Sequence, residues 1–315
     1  MRKFAKLLIA MYLLCQVSLF AQTGPGAAPK STDTSWVKTK FIDVAYASVS
    51  PTQKLDIYLP NEGKGPFPLI IEIHGGGFII GAKSQNIAPM LEGLKRGYAV
   101  ASIDYRLSKE AIWPAQINDV KAAIRFLRAN AAKYGFDPNR FATWGGSAGG
   151  SLSALAATSG GVARLADPAS GNASVSDRVQ AAVDWFGPIY FSTMDAEFAA
   201  LGTSGVMGAT NAPTSAESKY LGKTIGTAEA QSLVEAASPR TYIDAGDPPM
   251  IIQHGTKDRN IPITQSVEFA ARLAAAIGQG KVVYEAIEGA GHGTSEFDTP
   301  QNAAKVLNFL DSHLK

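Results

Sequence analysis

The sequence predicts an α/β fold in which an eight-stranded, mostly parallel sheet is flanked by helices and interrupted by one cap insertion. Three observations predict it. Short β-branched or aromatic runs recur eight times, helical patterns separate the later ones, and several of the runs are more continuously apolar than the rest, as strands covered on both faces tend to be.

In chain order, Phe41–Ala47 and Leu55–Leu59 come first; both alternate in the manner of half-buried strands and suit a hairpin. Leu69–Ile73, Tyr98–Ile103 and Arg140–Trp144 are more continuously apolar, and Ala181–Phe186, Met250–Gln253 and Val282–Ile287 complete the set. Among the helical patterns, Ile117–Ala129 carries Val120, Ile124 and Leu127 on one face, and Ala148–Thr158 is rich in Ala and Leu. Ser266–Ile277 spaces Val267, Ala270 and Leu273 helically, and Ala303–Leu314 does the same with Val306, Leu307 and Leu310. Residues 189–246 break the alternation. This stretch is long, weakly periodic and rich in Ala, Gly, Ser and Thr, so it is the expected lid or pocket wall.

The ends read differently. Arg2, Lys3 and Lys6 precede an apolar run from Leu7 to Phe20, and Ala21 offers a small residue for cleavage. That run falls short of the roughly 20 residues a membrane span needs, so residues 1–21 are expected to be a cleaved export signal, leaving no stable anchor. Gln22–Ser35 reads as a flexible arm, and the catalytic domain is expected over 36–315. The protein is thus expected outside the cytoplasm, secreted or periplasmic. Cys15, inside the signal, is the only cysteine, so a large apolar core must supply the stability that disulfides give many exported proteins. At 46% apolar residues the chain can build one. Losing Arg2, Lys3 and Lys6 lowers the formal charge of +2 by three, to −1, which gives no electrostatic case for nucleic acid or an anionic membrane as partner. Nothing in the pattern sets an oligomeric state.

The chemistry lies in three motifs. Gly145-Gly146-Ser147-Ala148-Gly149 satisfies G-x-S-x-G and joins an apolar strand directly to a helical stretch. Strand–turn–helix is the setting in which this motif is a nucleophile elbow: the turn is too tight for bulk two residues either side of the serine, and the serine hydroxyl is held out into a cleft. Ser147 is therefore the expected nucleophile. A phosphate-binding turn is excluded, because no G-K-[ST] or G-x-G-x-x-G pattern follows a strand here.

Four histidines compete for the role of base. His74 lies in an upstream glycine loop, His254 ends the seventh strand, and His313 lies in the last helical turn. His292, in Gly289-Ala290-Gly291-His292-Gly293, sits in a flexible loop after the eighth strand and is the expected general base. The acid should fall between nucleophile and base in the chain. Asp258 follows the seventh strand by a few residues, whereas Asp244 and Asp247 precede that strand and Glu288 closes the eighth. Asp258 is expected to accept the second imidazole N–H and stabilise the imidazolium. The third motif, His74-Gly75-Gly76-Gly77-Phe78, lies 73 residues before Ser147. Its glycines let the backbone approach a substrate, so the N–H groups of Gly76, Gly77 and Ala148 are the expected oxyanion donors.

Asp104-Tyr105-Arg106-Leu107 is expected to form a buried structural ion pair, with Arg106–Asp119 as another pairing. Trp185-Phe186-Gly187-Pro188 closes a strand near the cleft, with its aromatics expected in the core. No His or carboxylate cluster has metal-ligand spacing, so neither metal nor cofactor is expected.

From about Phe41 to Leu314 the chain resembles the α/β-hydrolase superfamily, in its H-G-G-G-bearing branch of hormone-sensitive-lipase-like serine esterases. Within that branch it is most similar to the bacterial bifunctional feruloyl and acetyl-xylan esterases. His74–Phe78, Asp104–Leu107, Phe136–Arg140, Trp144–Gly150, Trp185–Pro188, His254–Pro262 and Gly289–Gly293 carry the resemblance. It implies hydrolysis of carboxylic esters, on small molecules or linked to polysaccharide. The chain departs from the hormone-sensitive-lipase pattern at Gly146, where an acidic residue is usual, and at Ser108-Lys109-Glu110, which follows Y-R-L in place of A-P-E. Ser151 stands where many bacterial relatives have His. None of these positions belongs to the triad. The same triad serves serine peptidases and lactonases, and the same fold serves non-catalytic binding proteins.

Overall fold

The computed structural model describes residues 31–315, so the expected signal and residues 22–30 of the arm lie outside the described residues. Order begins earlier than the expected residue 36: the Thr32 N–H already donates to the Ser84 carbonyl at 2.8 Å.

Eight strands form one sheet: β1 Lys40–Ala45, β2 Lys54–Tyr58, β3 Phe67–Ile73, β4 Ala99–Ile103, β5 Phe136–Gly146, β6 Ala181–Trp185, β7 Met250–Gly255 and β8 Val282–Ile287. They lie in the order β1-β2-β4-β3-β5-β6-β7-β8. The β1/β2 and β2/β4 pairs are antiparallel and the others parallel. Helices follow because parallel neighbours need crossover connections. The helices are α1 Ala115–Ala129, α2 Ala148–Thr158, α3 Met194–Ala200, α4 Ala216–Leu221, α5 Ala228–Ala237, α6 Thr264–Ile277 and α7 Pro300–Leu314, with short helical turns at Ala88–Leu91 and Ala131–Tyr134. One core joins Ile117, Val120 and Ile124 of α1, Leu152 and Leu155 of α2, and Phe269 and Leu273 of α6 to one face of the sheet. A second core joins Val306, Leu307 and Leu310 of α7, with Leu91 and Leu94, to the other face. Two covered faces explain why β3 and β4 are buried almost throughout and mostly apolar, with Glu72 and Ser102 bonded to each other as the polar exceptions.

Two expectations for the first strands need correction. β1 is an exposed edge, and β2 is not half-buried but buried from Leu55 to Tyr58. The alternating polar position Asp56 faces a lysine rather than water: Lys83 Nζ sits 2.9 Å from Asp56 Oδ1 and 2.9 Å from Asp43 Oδ1. Alternation in the sequence records two faces of different polarity, and here the polar face is covered by an ion pair. β5 also starts earlier than Arg140, because Phe136 pairs with Phe67 on β3.

Asp104 and Arg106 are half-buried on either side of the buried Tyr105, and the pair is between Arg106 and the buried Asp119. Arg106 approaches Asp119 in a two-pronged geometry, Nε to Oδ2 at 2.9 Å and Nη2 to Oδ1 at 2.7 Å, and its own N–H adds a third bond at 2.9 Å. Gln53 Nε2 donates to Asp119 Oδ1 at 2.7 Å, so the carboxylate, wholly shielded from solvent, is fully bonded. Asp104 instead accepts the Lys83 N–H at 2.7 Å. Replacing Arg106 with leucine leaves a buried carboxylate short of its charge partner, which should cost about 3–5 kcal/mol. Urea unfolding of Arg106→Leu checks this; an unchanged midpoint would show that the pair contributes no stability.

Candidate active site

Ser147 stands between β5 and α2, at φ +57° and ψ −124°, a conformation rare for any residue with a side chain. Its neighbours explain how the turn is held there. A Cβ on Gly149 would lie 1.9 Å from the Ile73 carbonyl oxygen, and one on Gly145 would lie 2.3 Å from the Gly149 backbone. Neither position admits a side chain. The Ser147 N–H donates to the Trp185 carbonyl at 2.8 Å, which ties the elbow to β6. Ser147 also caps α2, whose N-terminal dipole favours negative charge at this spot.

Two other loops converge on it. His292 Nε2 lies 2.9 Å from Ser147 Oγ, and His292 Nδ1 lies 2.7 Å from Asp258 Oδ2. Because Nδ1 faces a carboxylate it carries the proton, leaving Nε2 free to accept the serine hydroxyl. The histidine loop is fastened to the acid loop: the Lys257 N–H donates to the Ala290 carbonyl at 2.9 Å, and the Gly289 N–H donates to Thr256 Oγ1 at 2.9 Å. Asp258 Oδ1 accepts the N–H groups of Asn260 at 2.7 Å and Ile261 at 3.0 Å. Burial works to raise the Asp258 carboxyl, but hydrogen bonds from His254 and His292 outweigh it and hold the group well below the usual carboxylate range. Asp258 therefore stays ionised beside the imidazole.

The glycine loop lies against the elbow. A Cβ on Gly75 would sit 2.8 Å from the Gly146 carbonyl oxygen and 3.4 Å from Ser147 Cβ. Gly76 at φ +110° and Gly77 at φ +60° adopt backbone that favours glycine. The Gly76 carbonyl turns back to accept the Ile79 and Ile80 N–H groups, each at 3.1 Å. Among the described residues, no protein acceptor takes the N–H of Gly76, Gly77 or Ala148. His74 braces the loop from beneath, stacked on Tyr105 with ring centroids 4.3 Å apart, and its Nδ1 lies 2.8 Å from the Gly75 carbonyl oxygen. Burial pushes its imidazole down to about 4 despite the opposing pull of that carbonyl, so His74 is neutral near pH 7.

Three features were not legible beforehand. Trp185 packs in the core as expected, edge-on to Trp144 at 5.1 Å. Phe186 is buried in the same core and in addition presents its ring edge-on to His292 at 4.7 Å, at φ +45°. His254, read only as the end of a strand, is buried with its Nε2 3.3 Å from Asp258 Oδ2. The i, i+4 spacing of His254 and Asp258 across a strand end was the signal available. Residues 189–246, read as weakly periodic, contain α3, α4 and α5. The segment borders both reactive loops. Ala216 lies against Gly77, Tyr220 stacks on Phe78 at 3.9 Å, and the Val206 N–H donates to the Arg259 carbonyl at 2.9 Å, one residue beyond Asp258.

All of this lies at the C-terminal ends of the parallel strands, where ligand sites in open α/β sheets gather. A cavity of about 430 Å³ lined by Arg178, Gln180, Pro248 and His313 opens at the opposite, N-terminal ends of β6 and β7. It is remote from Ser147. Among the described residues, no three His, Cys, Asp or Glu side chains gather closely enough to hold a metal ion.

The fold together with this site defines an α/β-hydrolase. More narrowly, the chain belongs to the BD-FAE family, whose profile matches residues 55–273. It is 33% identical to esterase LipQ of Mycobacterium tuberculosis over 79% of its own length and 56% of that protein's. It thus spans little more than half the length of such curated relatives. Among solved structures, a truncated carbohydrate esterase from gut microbiota is 35% identical with a TM-score of 0.79, covering 90% of this chain and 99% of that one. A bifunctional GH43-CE protein of Bacteroides eggerthii is 33% identical with a TM-score of 0.77, covering 88% of this chain and 35% of that one.

One carboxyl beneath the elbow gives a pH prediction. Asp184 is fully buried, and burial pushes it up to about 6 against the Gly187 N–H bond. A raised folded-state value means that the native state holds its proton longer than the unfolded chain. The stabilisation is complete below about pH 4 and is lost as pH rises through 6, a change of about 3 kcal/mol. Asp184→Asn, which cannot ionise, should remove that slope. Melting temperatures of both proteins between pH 4 and 7 check it: parallel curves would contradict the assignment.

Proposed function

We propose that this protein is a secreted serine carboxylesterase that hydrolyses acetyl or feruloyl esters carried on polysaccharide. The observation that carries the reaction type is the imidazole of His292 bonded at once to Ser147 Oγ at 2.9 Å and to Asp258 Oδ2 at 2.7 Å.

In this reading Ser147 Oγ attacks the ester carbonyl while His292 Nε2 takes its proton. Asp258, ionised and fixed by two backbone N–H groups, stabilises the imidazolium that forms. The tetrahedral oxyanion rests on the N–H groups of Gly76, Gly77 and Ala148, with the α2 N-terminus behind them. His292 then returns the proton to the leaving alcohol, and the acyl group stays on Ser147. Water, deprotonated by the same imidazole, attacks the acyl-enzyme and releases the acid. The two half-reactions use one base because proton uptake and release alternate.

The substrate class draws support from the BD-FAE family, from the likeness to a carbohydrate esterase and a GH43-CE protein, and from the export signal expected at residues 1–21.

Ser147→Ala should lower kcat on short-chain aryl esters by roughly 10⁶-fold, and a fluorophosphonate should label wild type but not the variant. Retained hydrolysis or labelling in Ser147→Ala would overturn the nucleophile. For the substrate, wild type should release acetate or ferulate from acetylated or feruloylated xylan. Turnover of small aryl esters with no release from either polysaccharide would overturn that part alone.

A further inference from the structure

Asp258 Oδ2 faces two imidazoles, and only one of them belongs to the mechanism above. The other is His254, at the end of β7, which is entirely shielded from solvent. Its Nε2 lies 3.1 Å from the Ile261 carbonyl oxygen and 3.3 Å from Asp258 Oδ2, and its Nδ1 lies 2.7 Å from Ser266 Oγ in the first turns of α6. Two acceptors facing Nε2 place the ring proton there, so Nδ1 accepts the Ser266 hydroxyl. The ring is thus a donor on the Asp258 side, locked at both ends.

The arrangement repeats that of His292 in reverse. Ser147, His292, Asp258, His254 and Ser266 form one chain of polar contacts, with the carboxylate at its centre. Asp258 then accepts the Asn260 and Ile261 N–H groups on Oδ1 and faces His292 on Oδ2, with His254 Nε2, bonded to the Ile261 carbonyl, 3.3 Å from the same oxygen. The other titratable group near His254 is Asp184 on the neighbouring strand β6.

We propose that His254 is a positioning residue for the reaction: its Nε2–H fixes the Asp258 carboxylate in the plane of His292 and tempers the pull of that carboxylate on the imidazolium. A carboxylate with fewer donors concentrates more charge on the oxygen facing His292 and is freer to rotate away from it. Removing the His254 donor therefore has two consequences. Turnover falls, because the imidazole is no longer held toward Ser147. The imidazolium is bound more strongly, so His292 gives up its proton only at higher pH. Substrate binding involves neither group.

This inference rests on the Ser147–His292–Asp258 reading, and the experiment separates the two. His254→Leu, His254→Gln and Ser266→Ala are compared with wild type and Ser147→Ala on a short-chain aryl ester. Kinetics are normalised to active sites by fluorophosphonate titration, and melting temperatures are recorded. His254→Leu should lose roughly 10- to 100-fold in kcat with KM within about twofold, and its acid-side inflection in kcat/KM should move upward. His254→Gln, whose amide nitrogen can stand where Nε2 stood, should recover most of the loss. Ser266→Ala, which frees the far side of the ring, should shift kcat and the inflection in the same direction by a smaller amount. A lowered melting temperature with wild-type kcat and an unmoved or lowered inflection would show that His254 only packs, and would overturn the proposal. Should His254→Leu fail to fold, the Gln and Ala variants decide: wild-type pH profiles in Ser266→Ala, or no activity in a folded His254→Gln, would overturn it. Activity persisting in Ser147→Ala would instead sink the triad itself.

Discussion

The site depends on one crowded contact, the approach of the elbow to the end of β3. Gly149 lies so close to Ile73 that a single methyl group would fall 1.9 Å from its carbonyl oxygen, and Gly75 is similarly pressed against Gly146. Parallel pairing of β3 with β5 as far as Ile73 and Gly145 sets that spacing, because it brings the last residues of both strands level. The elbow and the glycine loop are consequently two halves of one packed unit. Ser147 at φ +57° stores strain of about 1–3 kcal/mol, and the surrounding backbone holds it there through the Trp185 carbonyl and the first turn of α2. The reactive hydroxyl is placed by the sheet itself.

Burying charge beside such a site requires partners, and the protein treats its buried carboxyls unequally. Asp119 has Arg106 and Gln53, while Asp258 has two backbone N–H groups and two imidazoles. Around Asp258 the donors favour the ion. Asp184 has one N–H bond, from Gly187, and its Oδ2 has no partner among the described residues, so burial dominates and favours the protonated form. Glu72 likewise relies on the Ser102 hydroxyl in a buried setting and is driven well above the usual range. The carboxylate that must stabilise an imidazolium is thus the one surrounded by donors. The contrast between Asp258 and Asp184, both buried near His254, follows the number of donors each carboxyl meets.

How much of this could be read from residues alone follows from where each signal originates. The serine turn and the glycine loop were legible because their geometry forces rare residue choices: only glycine fits at Gly145, Gly149 and Gly76, so the motif is a direct trace of sterics. The sheet was legible through apolar runs, which report burial on both faces. Edges were not. β2 looks half-buried because Asp56 interrupts it, and nothing local announces that Lys83, far along the chain, covers that position. Phe186 and His254 escaped for the same reason. Each is an ordinary residue at a strand end whose role comes from a partner brought alongside by pairing of β6, β7 and β8, a relation that no spacing within one segment encodes. The helices of the cap were hidden by their small residues, since Ala- and Ser-rich segments give weak periodicity even when helical.

That division also explains why reaction type and substrate differ in how firmly they can be argued. The groups proposed to react are set by backbone: N–H groups of Gly76, Gly77 and Ala148, a strained serine, and an acid held by its own turn. Such features change little when surface residues change. The walls that an acyl group or a sugar would meet belong partly to residues 189–246, which touch the machinery at few points, Ala216 on Gly77 and Val206 on Arg259 among them. Few contacts mean few constraints on composition, so side chains there can vary without disturbing Ser147, His292 or Asp258. Apolar groups exposed beside those contacts, Ile80 next to the glycine loop and Val206 and Met207 next to the acid loop, are of this unconstrained kind. A fold arranged this way holds the Ser147, His292 and Asp258 geometry in the sheet and its strand-end loops, while the composition of residues 189–246 is free to change around it.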